Sequence, residues 1–172
     1  NCAVVLQKGK IQGIVAKTYL SNSNECSEKR WFGSTHDIKN TKVWLCGDLV
    51  EINQYCIFNT PSCSFAIEMG HDLFAPIPPS SQLSMMGAEI VLNLSAESVL
   101  AGKDDYLRNQ ISSQSARCIG GYVYAGAGFG ESSTDIVFNA QALIYENGKM
   151  LAENLPFCTE SQLVFSEIDI EH

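Results

Sequence analysis

The residues able to do chemistry in this chain gather around one stretch, Ser64 to Ser98, SFAIEMGHDLFAPIPPSSQLSMMGAEIVLNLSAES. Phe65-Ala66-Ile67-Glu68-Met69 is an apolar run of strand length, and Gly70 breaks it where the chain must turn. A central strand that ends in a turn into a helix is where many α/β enzymes mount a nucleophile. Here that place is a glycine, with no side chain to attack anything. His71 follows it, but a histidine works as a base only with an acceptor and a nucleophile beside it. No such partner is visible in the sequence. Seven cysteines stand at 2, 26, 46, 56, 63, 118 and 158. The number is odd, and no C-x-x-C pair occurs, so neither a zinc site nor a redox pair is expected. Several sit in apolar runs and act as small hydrophobes, which suits reduced thiols in a cytoplasmic protein. Cys63 is the thiol nearest Gly70 along the chain, seven residues away, or roughly 20 Å of extended strand. By residue type alone, Lys17 is a surface lysine at a strand end, and Glu28 is a solvated charge beside Lys29 and Arg30. His36 has no partner at metal-ligand spacing, so no metal site is assigned.

These groups need elements to hold them. Residues 1–20 read as a hairpin, with strands at Ala3–Leu6 and Ile11–Ala16 and a turn at Gln7-Lys8-Gly9-Lys10. Residues 31–40 read as a polar loop. Short strand-like pieces follow at Val43–Leu45, Val50–Ile52 and Asn53–Phe58. After Gly70, Pro76, Pro78 and Pro79 hold an extended elbow, and Ser80 and Ser81 are candidate caps for a short helix through Met86. Ala88–Leu94 has the continuous apolar character of a buried strand. Asn93-Leu94-Ser95 is formally a glycosylation sequon, discounted because it ends that strand. A helix is expected over Asp104–Cys118, with Leu107, Ile111, Gln114 and Cys118 on one face and Asp104 and Asp105 at its positive end. Tyr122–Ala125 reads as a strand. The glycine-rich loop after it neither opens a helix nor carries a P-loop lysine, so phosphate binding is rejected. Phe138–Tyr145 and Met150–Glu153 form a hairpin around Glu146-Asn147-Gly148-Lys149, and Val164–Ile170 alternates as a last strand.

The chain has 172 residues, 45% hydrophobic and 17% charged, which suits one globular domain. Eleven basic against nineteen acidic residues give a net charge of −8, which argues against nucleic acid and anionic membrane surfaces as partners. No apolar run reaches the ~18 residues of a spanning helix. The N-terminus lacks the basic and apolar regions of a signal peptide.

The Ser64–Ser98 stretch also resembles the glutamine-hydrolysing domain of glutamine-dependent NAD synthetases, a branch of the nitrilase (carbon–nitrogen hydrolase) superfamily. That branch typically reads E-I-C-E-D-L-W-x-P-x-P-P-S, then a strand ending N-L-S-A-S. This chain reads Glu68-Met69-Gly70-His71-Asp72-Leu73-Phe74-Ala75-Pro76-Ile77-Pro78-Pro79-Ser80, then Asn93-Leu94-Ser95-Ala96-Glu97. The family's nucleophilic cysteine falls on Gly70 and its next glutamate on His71. Upstream, the family's K-x-Y-L-P-x-Y-x-E-F-Y-E-x-R is matched by Lys17 to Arg30. Lys17 falls on the catalytic lysine and Glu28 on the glutamate that positions it, while the family's proline falls on Ser21. The aromatic walls of a glutamine pocket fall on Ser23, Cys26 and Ser27. The segments Ser113–Cys118 and Tyr122–Asp135 match the family closely as well.

The resemblance implies an α/β fold, a nitrilase-like αββα sandwich incomplete at its N-terminus, with residues 1–172 forming one partial domain. The synthetase domain, with its ATP and Mg²⁺, is expected to be absent, which leaves no cofactor in this chain. The implied site is Lys17 and the empty nucleophile position Gly70, with Glu28 and Phe74 assigned to substrate binding and a glutamine-like small molecule as ligand. Of the family's Glu–Lys–Cys triad, only Lys17 remains. The implied activity is therefore little or none. The alternatives are a non-catalytic scaffold or interaction module, and an amidase in which Cys63 replaces the missing thiol. Because apolar runs such as AEIVLNL and YVYA should leave a sheet edge exposed, a homo-oligomer is expected, with Asp104–Cys118 near the interface.

Overall fold

A computed structural model of the chain describes residues 1–22, 26–38 and 41–170. The first hairpin forms as expected: β1 (Cys2–Gln7) pairs antiparallel with β2 (Lys10–Ala16). Its turn is the two residues Lys8 and Gly9, both at positive φ, +50° and +75°. That geometry matches the right-handed twist of the strands it joins. The 31–40 region is not loop throughout. A one-turn helix α1 (Glu28–Trp31) runs into its first residue, and a 3₁₀ turn lies at Thr35–Asp37. The pieces β3 (Lys42–Leu45) and β4 (Asp48–Glu51) pair only with each other, as a separate two-stranded sheet.

The main sheet starts with β5 (Ile57–Asn59), shorter than the sequence pattern suggests because Asn53–Cys56 is a turn. Beside it runs β6 (Ser64–Met69), followed by a 3₁₀ turn over Gly70–Phe74 and the helix α2 (Pro79–Met85). Ser80 and Ser81 do not cap α2. The helix opens one residue earlier, with Pro79 at its first position, where a missing N–H costs nothing. Next come β7 (Ile90–Ser95), α3 (Lys103–Cys118), β8 (Gly121–Gly126), β9 (Ala142–Glu146) and β10 (Lys149–Glu153). The sheet order is β10-β9-β8-β7-β6-β5. β6, β7 and β8 are parallel, and the pairs at both flanks are antiparallel.

The two faces of this sheet are covered differently. Ala66, Glu68, Val91, Tyr122, Leu143 and Tyr145 lie on the helix side. There Leu107 and Ile111 of α3 and Leu83 of α2 close over them. Phe65, Ile67, Met69 and Leu92 point the other way, against Ala3, Val5 and Val15 of the β1–β2 hairpin. This is the α/β layering of a nitrilase-like sandwich, with the hairpin as its second sheet. The expected last strand at 164–170 is not one: the segment forms no strand of the sheet. It crosses the start of β8, where a Cβ on Gly121 would lie 2.9 Å from Ile168 Cδ1, and the Asp169 N–H donates to Glu146 at 2.5 Å. The interior-strand runs that suggested an open edge are mostly buried within this chain. Exposed large apolar side chains lie on the β3–β4 hairpin, at Leu163 and Phe165, and also at Leu6, Trp31, Met85 and Leu155.

Candidate active site

The three parallel strands end together at Met69, Ser95 and Gly126, and ligands of open α/β sheets bind beyond such carboxyl ends. A cleft of about 680 Å³ opens there, with Lys17, Ser21, Glu28, Gly70, His71 and Glu97 on its walls. The floor is set by buried polar groups. Asn93 accepts the Gly70 N–H at 3.1 Å and donates to the Tyr122 hydroxyl at 2.9 Å, which in turn donates to Glu68 at 2.5 Å. This role for the Asn93 side chain, 1% exposed, leaves nothing for a sugar. Gly70 sits at φ +48°, a left-handed conformation that L side chains adopt only with strain. The chain can therefore turn there and aim position 70 into the cleft.

Asp72 brings the second wall to the first. Its carboxylate accepts the N–H groups of Tyr19 at 2.7 Å, Met69 at 3.3 Å and Thr18 at 3.4 Å. Burial pushes its carboxyl above the ordinary range despite those bonds. The residues just after β2 are thus stitched to the turn after β6. As a result Lys17 is no surface lysine: it is 5% exposed, and its ammonium reaches Glu28 Oε2 at 2.7 Å. Glu28 Oε2 also accepts the Ser21 N–H at 2.8 Å, and Glu28 Oε1 accepts from Asn1 at 3.0 Å. Burial works to raise the Glu28 carboxyl, but the bonds from Lys17 and Ser21 outweigh it and hold it below its ordinary range. Glu28 therefore stands charged at neutral pH. A Cβ placed on Gly70 would lie 3.5 Å from Lys17 Nζ, 3.7 Å from Ser95 Oγ and 3.7 Å from Glu97 Oε1. Lys17, Glu28 and Gly70 thus converge as the sequence implied.

The other contacts were not legible in the sequence. His71 Nδ1 lies within hydrogen-bond reach of Glu97 Oε1, and His71 Nε2 lies 3.3 Å from Ser21 Oγ. Glu97 Oε2 is ion-paired with Lys103 at 2.8 Å. Burial pushes the Glu97 carboxyl up, but His71 and Lys103 together hold it down. The acceptor and hydroxyl that His71 lacked in sequence are both present. The only hint of Glu97 was a charged residue two positions past an apolar strand.

Phe74, assigned to substrate binding, does not line the cleft. It stacks on Tyr106 at 5.6 Å and meets the His71 ring edge-on at 5.5 Å, so it supports the histidine from behind. Cys63 lies just before β6, at the end opposite Gly70, and its N–H donates to Thr60 Oγ1. The cysteines on the cleft wall are Cys2 and Cys26. Ser23, one of the replaced aromatic positions, lies outside the described residues. Among the described residues no helix is long and apolar enough to cross a membrane.

No protein-family model matches the chain. A glutamine-dependent NAD(+) synthetase of Mycobacterium tuberculosis is 34% identical over 174 residues, covering 99% of this chain and 26% of that protein. The fold of a glutamine-dependent NAD(+) synthetase from Cytophaga hutchinsonii matches with a TM-score of 0.83 at 22% identity, over 98% of this chain and 27% of that one. A carbon-nitrogen hydrolase from Helicobacter pylori matches with a TM-score of 0.73 at 18% identity, over 99% of this chain and 57% of that one. The chain spans about a quarter of the length of the curated relatives it matches. Sequence and fold point the same way: the chain is a homologue of part of glutamine-dependent NAD(+) synthetase and carries a nitrilase-like α/β fold.

Proposed function

We propose that this chain is a domain of the glutamine-hydrolysing type, from the lineage that supplies ammonia for NAD synthesis, in which thiol-dependent hydrolysis of glutamine has been lost. The observation that carries this reading is Gly70. Its backbone aims a side chain at the Lys17 ammonium, 3.5 Å from the first atom that side chain would have, and there is no side chain. Cysteine-dependent amide hydrolysis needs a sulfur at that place to attack the carbonyl carbon and carry the acyl group as a thioester. Without it, Lys17 can polarise an amide but nothing attacks.

Ammonia release from glutamine tests this directly, and the expected rate is that of buffer. Release that saturates with glutamine and disappears in Lys17→Ala would overturn it. Gly70→Cys by itself is expected to stay inactive. The carboxylate facing the new sulfur is Glu97, held by His71 and Lys103 and lowered in basicity, which makes it a poor proton acceptor. A glutamyl thioester on the variant, seen by mass spectrometry, would contradict that.

A second reading, an interaction module without catalysis, is favoured by the apolar surface of β3–β4. Trp44 is 72% exposed there and Leu49 51%, and grouped apolar exposure of that kind marks association surfaces. Self-association would show as concentration-dependent sedimentation, lost in Trp44→Ser.

A further inference from the structure

Four positions at which this chain departs from the family pattern meet in one place. Gly70 stands for the cysteine, His71 for a glutamate, Ser21 for a proline and Glu97 for a serine. Apart from the neighbours Gly70 and His71 they are distant in sequence, yet all four line the same cleft. Their arrangement is not that of random loss. Ser21 Oγ is 3.3 Å from His71 Nε2, and His71 Nδ1 is held by Glu97, whose other oxygen is fixed by Lys103 at 2.8 Å. A hydroxyl, an imidazole within its reach and a carboxylate orienting that imidazole is the arrangement that activates a serine nucleophile, and it recurs on unrelated folds. The absence of a side chain at Gly70 leaves room before it.

We infer that Ser21, His71 and Glu97 form a serine nucleophile system that cleaves small carboxylic esters. Facing a carboxylate, His71 Nδ1 carries the ring hydrogen, which leaves the Nε2 lone pair for the Ser21 proton. Ser21 Oγ bonds to the ester carbonyl carbon as its proton passes to Nε2, and the carbonyl π pair moves onto oxygen. Lys17 is placed to meet that oxyanion. Its ammonium and the Ser21 N–H share Glu28 Oε2, at 2.7 and 2.8 Å, which keeps the cation beside the nucleophile. An ammonium has three donors, and Glu28 takes one. Collapse breaks the ester C–O bond, and the departing alcohol takes the proton from His71. Water then attacks the acyl-Ser21 carbonyl, gives a proton to Nε2 and releases the acid. The same proton returns to Ser21 Oγ. Leu94, Ala125, Ile136 and Phe138 give the cleft an apolar side beside the polar Asn1, Ser95 and Glu131, which suits an uncharged acyl and alcohol part. Esters are favoured over primary amides because an alkoxide leaves more readily than an amide anion.

The inference goes beyond the loss of glutaminase activity and stands or falls separately from it. The test is reaction of the protein with a fluorophosphonate probe and with p-nitrophenyl acetate, and the labelled peptide is located by mass spectrometry. The expected label is on Ser21, absent in Ser21→Ala and in His71→Ala. Ser21→Cys, which keeps the shape, is expected to accumulate an acyl-thioester. Glu97→Gln is expected to lower kcat by about 10²-fold or more with KM nearly unchanged, the split of a positioning residue rather than a structural one. Label on Cys2, Cys26 or any residue other than Ser21, or no label at all, would overturn it. Ammonia release from glutamine that persists in Ser21→Ala and vanishes in Lys17→Ala would instead overturn the reading of lost glutaminase activity.

Discussion

Glu68 and Glu97 show what position does to one side chain. Glu68 lies one residue before the end of β6, 1% exposed, on the helix side of the sheet. Its carboxylate is enclosed by the Tyr122 hydroxyl at 2.5 Å and the Ser80 N–H at 2.9 Å. Burial dominates and pushes it above its ordinary 4.5, and it drives the Tyr122 hydroxyl far upward as well. Glu97 lies two residues past the end of β7, in the cleft. It faces His71 and Lys103, which hold it below the same ordinary value. One carboxyl is built into the interior and fixes the floor under Gly70 through Tyr122 and Asn93. The other stays ionised beside a histidine that water can reach. A buried glutamate whose partners are all structural neighbours holds a turn in place, whereas one held by a histidine and a lysine at a strand end is poised for chemistry.

The largest expected effect is on the buried member. Glu68→Ala leaves the Tyr122 O–H and the Ser80 N–H without an acceptor in the interior and opens a cavity. It should cost about 3 kcal/mol, read as a lower urea midpoint at unchanged slope. Glu97→Gln keeps the shape and should cost about 1 kcal/mol in the same titration. Equal losses would erase the distinction.

A pH series sharpens it through sign. Glu68 is raised in the folded state, so its contribution is fully present below about 4.5 and is lost as pH rises through its folded value. Glu97 is lowered, so its contribution is present above about 4.5 and is lost as pH falls through its folded value. Relative to the parent, Glu68→Gln should therefore gain stability as pH rises above 4.5. Glu97→Gln should lose stability over the rise through the lowered value and then hold level. Thermal midpoints followed from acid to neutral pH check this, and slopes of the same sign would refute it.

At Gly70 a methyl group meets only ordinary contacts, the nearest at 3.5 Å. Gly70→Ala should thus cost about 1 kcal/mol, all of it from the left-handed backbone. A stabilised variant would mean that the turn is not held left-handed in solution. The smallest effect belongs to the solvent side, where Arg108 bridges Asp104 and Glu153, both at 2.7 Å. Glu153→Gln should change stability by about 0.5 kcal/mol and vanish into the baseline in high salt.

Much of the fold was open to reading because it is local. The Lys8-Gly9 and Asn147-Gly148 turns, the apolar runs of β6 and β7, and the Leu107–Ile111–Gln114 face of α3 each follow from neighbours in the chain. The errors fell where a local rule had a competitor. Ser80 looks like a cap, but Pro79 begins the helix and the Ser80 N–H goes to Glu68. Val164–Ile170 alternates like a strand, but it crosses the sheet instead of joining it.

The residue order by itself determined the elements, the acidic surface and the resemblance that placed Lys17, Glu28 and Gly70 together. Tertiary structure alone decided that His71 has partners. Ser21 lies 50 residues before it and Glu97 26 residues after it. They meet because β6 and β7 pair in parallel with Glu68 opposite Asn93, while Asp72 draws the end of β2 onto the turn. Side-chain chemistry acts over a few ångströms, and only the packing of strands distant in sequence sets which groups come within that reach.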